Sequence, residues 1–264
     1  MKLRPARKRF GQNFLHDANI ISKILSSMAP SADDHFLEIG PGRGAITRPL
    51  SDAAGRVDVI EIDEDLADDL DKADWTDSIN IHRGDALRFA YDSLLSSDEK
   101  AAGKKLRMAG NLPYNISTPL LFHILSYADI FRDIHVMLQK EVVQRMVATP
   151  DNKSYGRLTV ALAARCHVES LFMIRPGSFR PAPKVDSAFT RLTPLPEPLI
   201  SQEETPAFDL ILREAFGKRR KQLANSLRDV LTAEQIQSVD IDPQLRAENL
   251  SVEQFVRLAQ IATP

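Results

Sequence analysis

The chain reads as an α/β fold: a mostly parallel sheet covered by helices on both faces, followed by a small all-helical domain. Three observations predict it. Short apolar runs alternate with amphipathic stretches between residues 19 and 138, and a glycine-rich loop follows the first run. A segment with three prolines in five positions, Pro194-Leu195-Pro196-Glu197-Pro198, precedes a region of helical pattern throughout. Strands alternating with helices build a parallel sheet between two helical layers. A proline-dense segment can continue neither element and marks a linker. The 264 residues suffice for about two domains, placed at 1–195 and 196–264.

Taken in order, Ile20, Ile21, Ile24, Leu25 and Met28 recur at helical spacing over 19–29, and Pro30 ends that helix. Phe36-Leu37-Glu38-Ile39 is the first strand, and a helix over 47–54 lies beyond its loop. Strands follow at 57–62, 79–82 and 106–109, with a short helix over 66–70. Helices then cover 119–126, 141–148 and 157–166, with a strand at 134–138 between the first two. Residues 168–174 and 187–192 are expected to pair as antiparallel neighbours near the end of the sheet. Past the linker, helices are expected over 208–216, 219–231, 233–239 and 252–261.

Composition removes several function classes. Apolar residues at 43% and charged residues at 27% are those of an ordinary globular chain. Cys166 is the one cysteine, which excludes an internal disulfide framework and a cysteine-cluster zinc site. Set in an apolar helix, it reads as a core residue. The six histidines show no metal-ligand spacing, and no apolar run approaches the ~18 residues of a membrane span. The net charge of −2 is unevenly spread. Lys2, Arg4, Arg7, Lys8 and Arg9 fall in the first ten residues without an acid. Residues 58–77 hold ten acids against Lys72 alone, so the rest of the chain carries +7. Two more basic regions are Arg175, Arg180, Lys184 and Arg191, and the run Lys218-Arg219-Arg220-Lys221. The expectation is a polarised surface whose positive face meets phosphates.

The loop Gly40-Pro41-Gly42-Arg43-Gly44-Ala45 sits where the first strand hands over to a helix. Glycines there let backbone approach a ligand closely. Glu61 closes the second strand, 21 residues after Gly40, where a carboxylate can accept from both hydroxyls of a ribose. Asp85, after the third strand, can accept from an adenine amino group. Turn and two acids at strand ends point to a nucleoside site. The loop also satisfies a loose G-x-G-x-x-A pattern, which keeps a nicotinamide dehydrogenase as a rival.

Asn111-Leu112-Pro113-Tyr114 follows the fourth strand. The exocyclic amine of adenine is a poor nucleophile because its lone pair is delocalised into the ring. Acceptors on its two hydrogens, the Asn111 side-chain oxygen and the Leu112 carbonyl, would favour a pyramidal nitrogen with an available lone pair. Pro113 fixes the backbone and removes a competing donor, and Tyr114 offers a flat face for stacking. The bland alternative is a proline turn with a core tyrosine.

Five blocks carry a resemblance that runs almost end to end. They are residues 10–15, the glycine loop 38–47, Asn111-Leu112-Pro113-Tyr114-Asn115-Ile116-Ser117-Thr118, residues 179–188 and residues 216–221. With them the chain resembles the ribosomal RNA adenine dimethyltransferases, most closely the bacterial small-subunit (16S) branch, the kasugamycin-resistance methyltransferases. The resemblance implies a Rossmann-like S-adenosylmethionine-dependent methyltransferase domain and a helical domain that binds RNA and ribosome. Asn13 and Leu15 would contact the donor, Gly40 and Gly42 would pack against its methionine and ribose, Glu61 with Ile62 would hold the ribose, and Asp85 with Ala86 the adenine. Asn111 would bridge donor and target amine, within the reactive motif that Leu112, Pro113 and Tyr114 complete. Phe179 would stack on the target adenine opposite Tyr114. Arg7, Lys8, Arg9, Arg180, Lys184, Lys218, Arg219, Arg220 and Lys221 are the RNA-binding candidates. The implied substrate is a pair of adjacent adenosines near the 3′ end of 16S rRNA in the small ribosomal subunit, each dimethylated. The expected enzyme is a cytoplasmic monomer without metal or membrane attachment. Two alternatives stay open: methylation of large-subunit RNA, as in antibiotic resistance, and an assembly factor in which methylation is secondary.

Overall fold

The structure, a computed structural model, describes residues 4–75 and 78–262. The chain divides into two compact units, Met1–Val143 with Glu169–Thr193, and Gln144–Val168 with Pro194–Pro264.

The first unit holds β1 (Phe14–Leu15), α1 (Ala18–Met28), β2 (His35–Ile39), α2 (Thr47–Ala53), β3 (Arg56–Glu61), α3 (Glu64–Asp71) and β4 (Ile79–Arg83). It continues with α4 (Ser97–Ala101), β5 (Leu106–Asn111), α5 (Ser117–Leu125), β6 (Phe131–Gln139) and the start of α6 (Lys140–Met146). The chain returns to it in β7 (Cys166–Ile174), β8 (Phe179–Arg180) and β9 (Ser187–Pro194). A seven-stranded sheet runs β4-β3-β2-β5-β6-β9-β7. Strands β4 to β6 are mutually parallel, and β9 pairs antiparallel with β6. This is the Rossmann-like architecture expected. The strand order reverses direction at β2, so the crevice beyond the ends of β2 and β5 is the place where such sheets bind ligands.

Local chemistry sets the element ends. The Asp17 carboxylate accepts from the backbone N–H groups of Asn19 and Ile20 and starts α1, while Ala29 in a left-handed conformation and Pro30 stop it. Phe36, Val57, Val59, Ala109 and Met137 of the sheet form one core cluster with Ile24 and Met28 of α1 and Leu50 of α2. Buried charges tie the strands where they begin. Arg107 donates to Asp34 and Asp133, each at 2.8 Å, and to the Met28 carbonyl at 2.7 Å. Asp58, wholly buried, accepts from Arg56 and lies 2.6 Å from ring nitrogens of both His35 and His82. Its hydrogen bonds to these histidines outweigh burial and hold its carboxyl down at about 2.

A second sheet was not foreseen. Its strands β1 and β8 pair Phe14 with Arg180 and Leu15 with Phe179, and the Ser178 hydroxyl donates to Asp17 at 3.0 Å. The strand pairing joins the first and fourth of the resemblance blocks.

The second unit contains α7 (Arg157–Ala163), α8 (Thr205–Gly217), α9 (Leu223–Ser226), α10 (Ala233–Ser238) and α11 (Val252–Ala262). Helix α8 packs against α7 and α11. The Phe216 ring lies between those of Tyr155 and Phe255, and the Tyr155 hydroxyl donates to the Leu250 carbonyl at 2.8 Å. Three expectations change here. The division near residue 195 misses that residues 144–168 belong to this unit. Cys166 is buried as expected but opens a strand instead of closing a helix. The helix expected over 219–231 shrinks to α9, because its start is tied to another segment. Gln222 bridges Arg246, and the N–H groups of Leu223 and Ala224 donate to Leu245 and Pro243 carbonyls.

Candidate active site

A cleft opens in the first unit. The loops after β2, β3, β4 and β5 line it, together with residues 10–15. Its floor begins with Gly40, at φ +69° with nothing within 4 Å of where a Cβ would stand. Gly42 is also left-handed, and a Cβ there would meet the Phe14 ring at 3.1 Å. Trp75 explains the third glycine: its ring lies so close over Gly44 that a Cβ would clash at 2.5 Å. That tryptophan covers the glycine loop.

The Glu61 carboxylate accepts from the N–H groups of Gly42 (3.1 Å) and Asp63 (2.9 Å). It is thereby held fast in the cleft wall, and burial raises its pKa. Asp85 accepts from the Leu87 N–H with one oxygen. Glu38, fully buried beneath the loop, has a carboxylate oxygen, Oε2, with no hydrogen-bond partner in the protein. Burial, reinforced by Glu61, pushes its carboxyl up to about 7.

Across the cleft, the Asn111 amide donates through Nδ2 to the Asn13 carbonyl at 2.7 Å. That bond settles which way the amide points and leaves Oδ1 as its acceptor. The Leu112 N–H donates to Met137, and the Tyr114 hydroxyl lies 2.6 Å from that of Ser187. Burial raises the Tyr114 phenol above its ordinary value, so the ring stays neutral. The cleft thus combines a glycine cradle with an oriented acceptor and an aromatic face.

A model of the ribosomal RNA adenine dimethylase family matches residues 4–263. The chain belongs to that family. Ribosomal RNA small subunit methyltransferase A of Pseudomonas aeruginosa is 49% identical over 255 residues, covering 96% of this chain and 93% of that protein. The protein of the same name from Nitrosospira multiformis is 47% identical over 252 residues, with 96% and 94% covered. The crystal structure of a dimethyladenosine transferase from Plasmodium falciparum matches with TM-score 0.74 at 25% identity, covering 93% of this chain and 95% of that one. The 23S rRNA methyltransferase ErmE shares the fold, with TM-score 0.66 at 24% identity over 94% of this chain and 99% of that one.

Within this family member, Asn13, Leu15, Gly40, Gly42, Glu61, Ile62, Asp85, Ala86, Asn111, Leu112, Pro113 and Tyr114 all line the one cleft. Phe179 does not. It is 1% exposed and sits in the core cluster with Leu15, Ile174 and Phe189, so it offers no face to a base. Pairing with Leu15 draws it inward.

The basic candidates divide. Arg7 is not a free cation: it donates to Asp63 at 2.6 Å and to Asp65. Arg4 pairs with Asp65 and Asp69, each at 2.8 Å, and Arg83 pairs with Asp68 and Asp71. The segment before the cleft is therefore strapped onto the acidic block, and the expected separation of the two charges fails there. The Lys8 side chain lies outside the described residues. Arg9 is exposed, with its guanidinium 4.6 Å from the Phe10 ring centre. Arg180 and Lys184 are exposed. In the second unit, Arg219 is engaged by Glu248 at 2.9 Å and by the Lys153 carbonyl at 2.6 Å, and Lys218 lies 3.9 Å from Asp229. Arg220 and Lys221 are exposed, and neither is ion-paired among the described residues.

Reading the sequence missed Glu38, Asp63 and Ser187. Glu38 carried a signal, a carboxylate inside an otherwise apolar strand. Asp63 was one acid in a long run, and Ser187 lay inside the fourth resemblance block without a role of its own.

Proposed function

We propose that this chain transfers methyl groups from S-adenosylmethionine to the N6 amino groups of two adjacent adenosines near the 3′ end of 16S rRNA, within the small ribosomal subunit. Relatives at 47–49% identity named as small-subunit methyltransferases favour that subunit over the large one. The observation that carries the chemistry is the Asn111 amide, held by the Asn13 carbonyl so that Oδ1 remains to accept.

The cleft fits the donor on its own features. Gly40 leaves open the space a side chain would fill, Glu61 is fixed at the ribose position, and Glu38 keeps an unpartnered buried oxygen that suits an ammonium group. When bound, the donor supplies a methyl group on a positively charged sulfur. Asn111 Oδ1 and the Leu112 carbonyl accept from the two hydrogens of the target amine and turn its lone pair toward that methyl. Tyr114 stacks on the base. The amine nitrogen becomes strongly acidic as its bond to carbon forms, so its proton passes to water without a dedicated base. Orientation, more than acid–base chemistry, is the protein's contribution. Arg220 and Lys221, with Arg9, Arg180 and Lys184, are the exposed cations proposed for rRNA phosphates. The setting proposed is the cytoplasm, with the protein acting as a monomer.

Labelled donor offered to immature small and large subunits tests this directly. Label should enter small-subunit RNA and vanish with Asn111→Ala while subunit binding persists; label confined to the large subunit would sink the proposal.

A further inference from the structure

Residues 179–188 are a resemblance block whose expected contribution to the site, Phe179, is buried in the core. The block nevertheless reaches the reactive motif at another residue. We propose that Ser187 is the positioning residue for Tyr114, fixing the place of the ring against which the target base stacks. This rests on the methyl-transfer reading above.

Ser187 is wholly buried and opens β9, where it pairs with Gln139 of β6. The Lys140 N–H donates to the adjoining Asp186 carbonyl at 3.0 Å, so the backbone on both sides of Ser187 is fixed. Its hydroxyl lies 2.6 Å from the Tyr114 hydroxyl, a short contact between two neutral oxygens. The first side-chain torsion of a tyrosine swings its hydroxyl through an arc, so a bond at the far tip fixes where the ring lies. Asn111 is anchored separately, by the Asn13 carbonyl. The two groups that meet the base are thus each held by a different element: the amide by the segment before α1, the ring by the start of β9. Transfer requires the amine to be aligned with the methyl, and a misplacement of ~1 Å can cost about a hundredfold in rate. The donor is held by other residues, Gly40, Glu61 and Asp85, so loss of the Ser187 hydroxyl leaves them in place.

The test is a double-mutant cycle in the full-length protein with Ser187→Ala and Tyr114→Phe. Tyr114→Phe keeps the ring and removes only its hydroxyl, which guards against misfolding as the cause. Each single variant should slow single-turnover methylation of immature small subunits by about tenfold, with the subunit KM and the calorimetric donor affinity unchanged. The double variant should be no slower than either single one, because both substitutions break one contact. Thermal unfolding serves as the control for global damage. Ser187→Ala at the wild-type rate, or losses that multiply in the double variant, would overturn the proposal while leaving methyl transfer intact. Wild-type protein that binds donor but methylates no small subunit would instead remove the reading beneath it.

Discussion

Gly40→Ala separates the donor site from the stability of the loop that forms it. Gly40 sits at φ +69°, and a Cβ built there meets nothing within 4 Å. The cost to folding is then a backbone term alone: about 1–2 kcal/mol for a left-handed L-residue, offset by roughly 0.4–1 kcal/mol from a less flexible unfolded chain. A net loss of about 1 kcal/mol lowers Tm by roughly 2–4 °C in a protein of this size. The open space, however, lies in the cleft, so the methyl would occupy volume assigned to the donor. Donor affinity should fall at least tenfold, or about 1.4 kcal/mol. Gly103→Ala is the matched control, at φ +68° with equally open space and outside the cleft lining. It should lose the same stability and no affinity. Calorimetric titration with S-adenosylmethionine, beside thermal unfolding, reads both effects. A Gly40→Ala protein that bound donor within threefold of wild type would refute the placement of the donor over Gly40.

Three further outcomes follow from the same geometry. His135 is 1% exposed with neither ring nitrogen hydrogen-bonded, and burial pulls its pKa down to about 4. The unfolded chain therefore binds the proton first, and stability falls as pH drops from 6.5 towards 4, by about 3 kcal/mol at ~1.4 kcal/mol per pKa unit. Glu38, pushed up to about 7, acts oppositely, losing stability as pH rises from 4.5 to 7; the difference between wild type and His135→Gln in urea unfolding at several pH values isolates the histidine, and identical pH dependence would contradict its assignment. Arg7→Gln, which releases the strap from Asp63 and Asp65, should weaken donor binding by about two- to fivefold, the range of part-exposed ion pairs, and the effect should fade in high salt. Arg220→Glu with Lys221→Glu should weaken subunit binding and flatten its salt dependence by roughly 1.5–2 units, with donor affinity unchanged; equal losses of both would mean damage to the fold.

Strands β2, β3 and β5 were legible in the sequence because each is a short buried run that leads to a residue type with a chemical reason to be there; β4 is only partly buried and was marked by Asp85 just beyond it. Gly40, Glu61, Asp85 and Asn111 all fall at C-terminal strand ends and converge on one cleft. Strands β1 and β8 were not legible: two residues each are too few for any periodicity, and their pairing spans most of the chain. Over 219–231, Leu223, Leu227 and Leu231 recur every fourth residue and are all buried, which imitates a helix. Turns bury them equally well once the backbone pairs with residues 243–246. Charge was the least legible property. Composition counts Arg4 and Arg7 as free cations, while the fold sets them against Asp63, Asp65 and Asp69. A sum over residues carries no information about which charges touch.

Mass-spectrometric mapping of methyl groups on small subunits that lack the modification, after incubation with this protein and S-adenosylmethionine, tests the central claim most directly. Dimethylation at N6 of two adjacent adenosines near the 3′ end of 16S rRNA is the predicted result. Methyl groups on ring nitrogens or ribose, or on large-subunit RNA alone, would contradict the account.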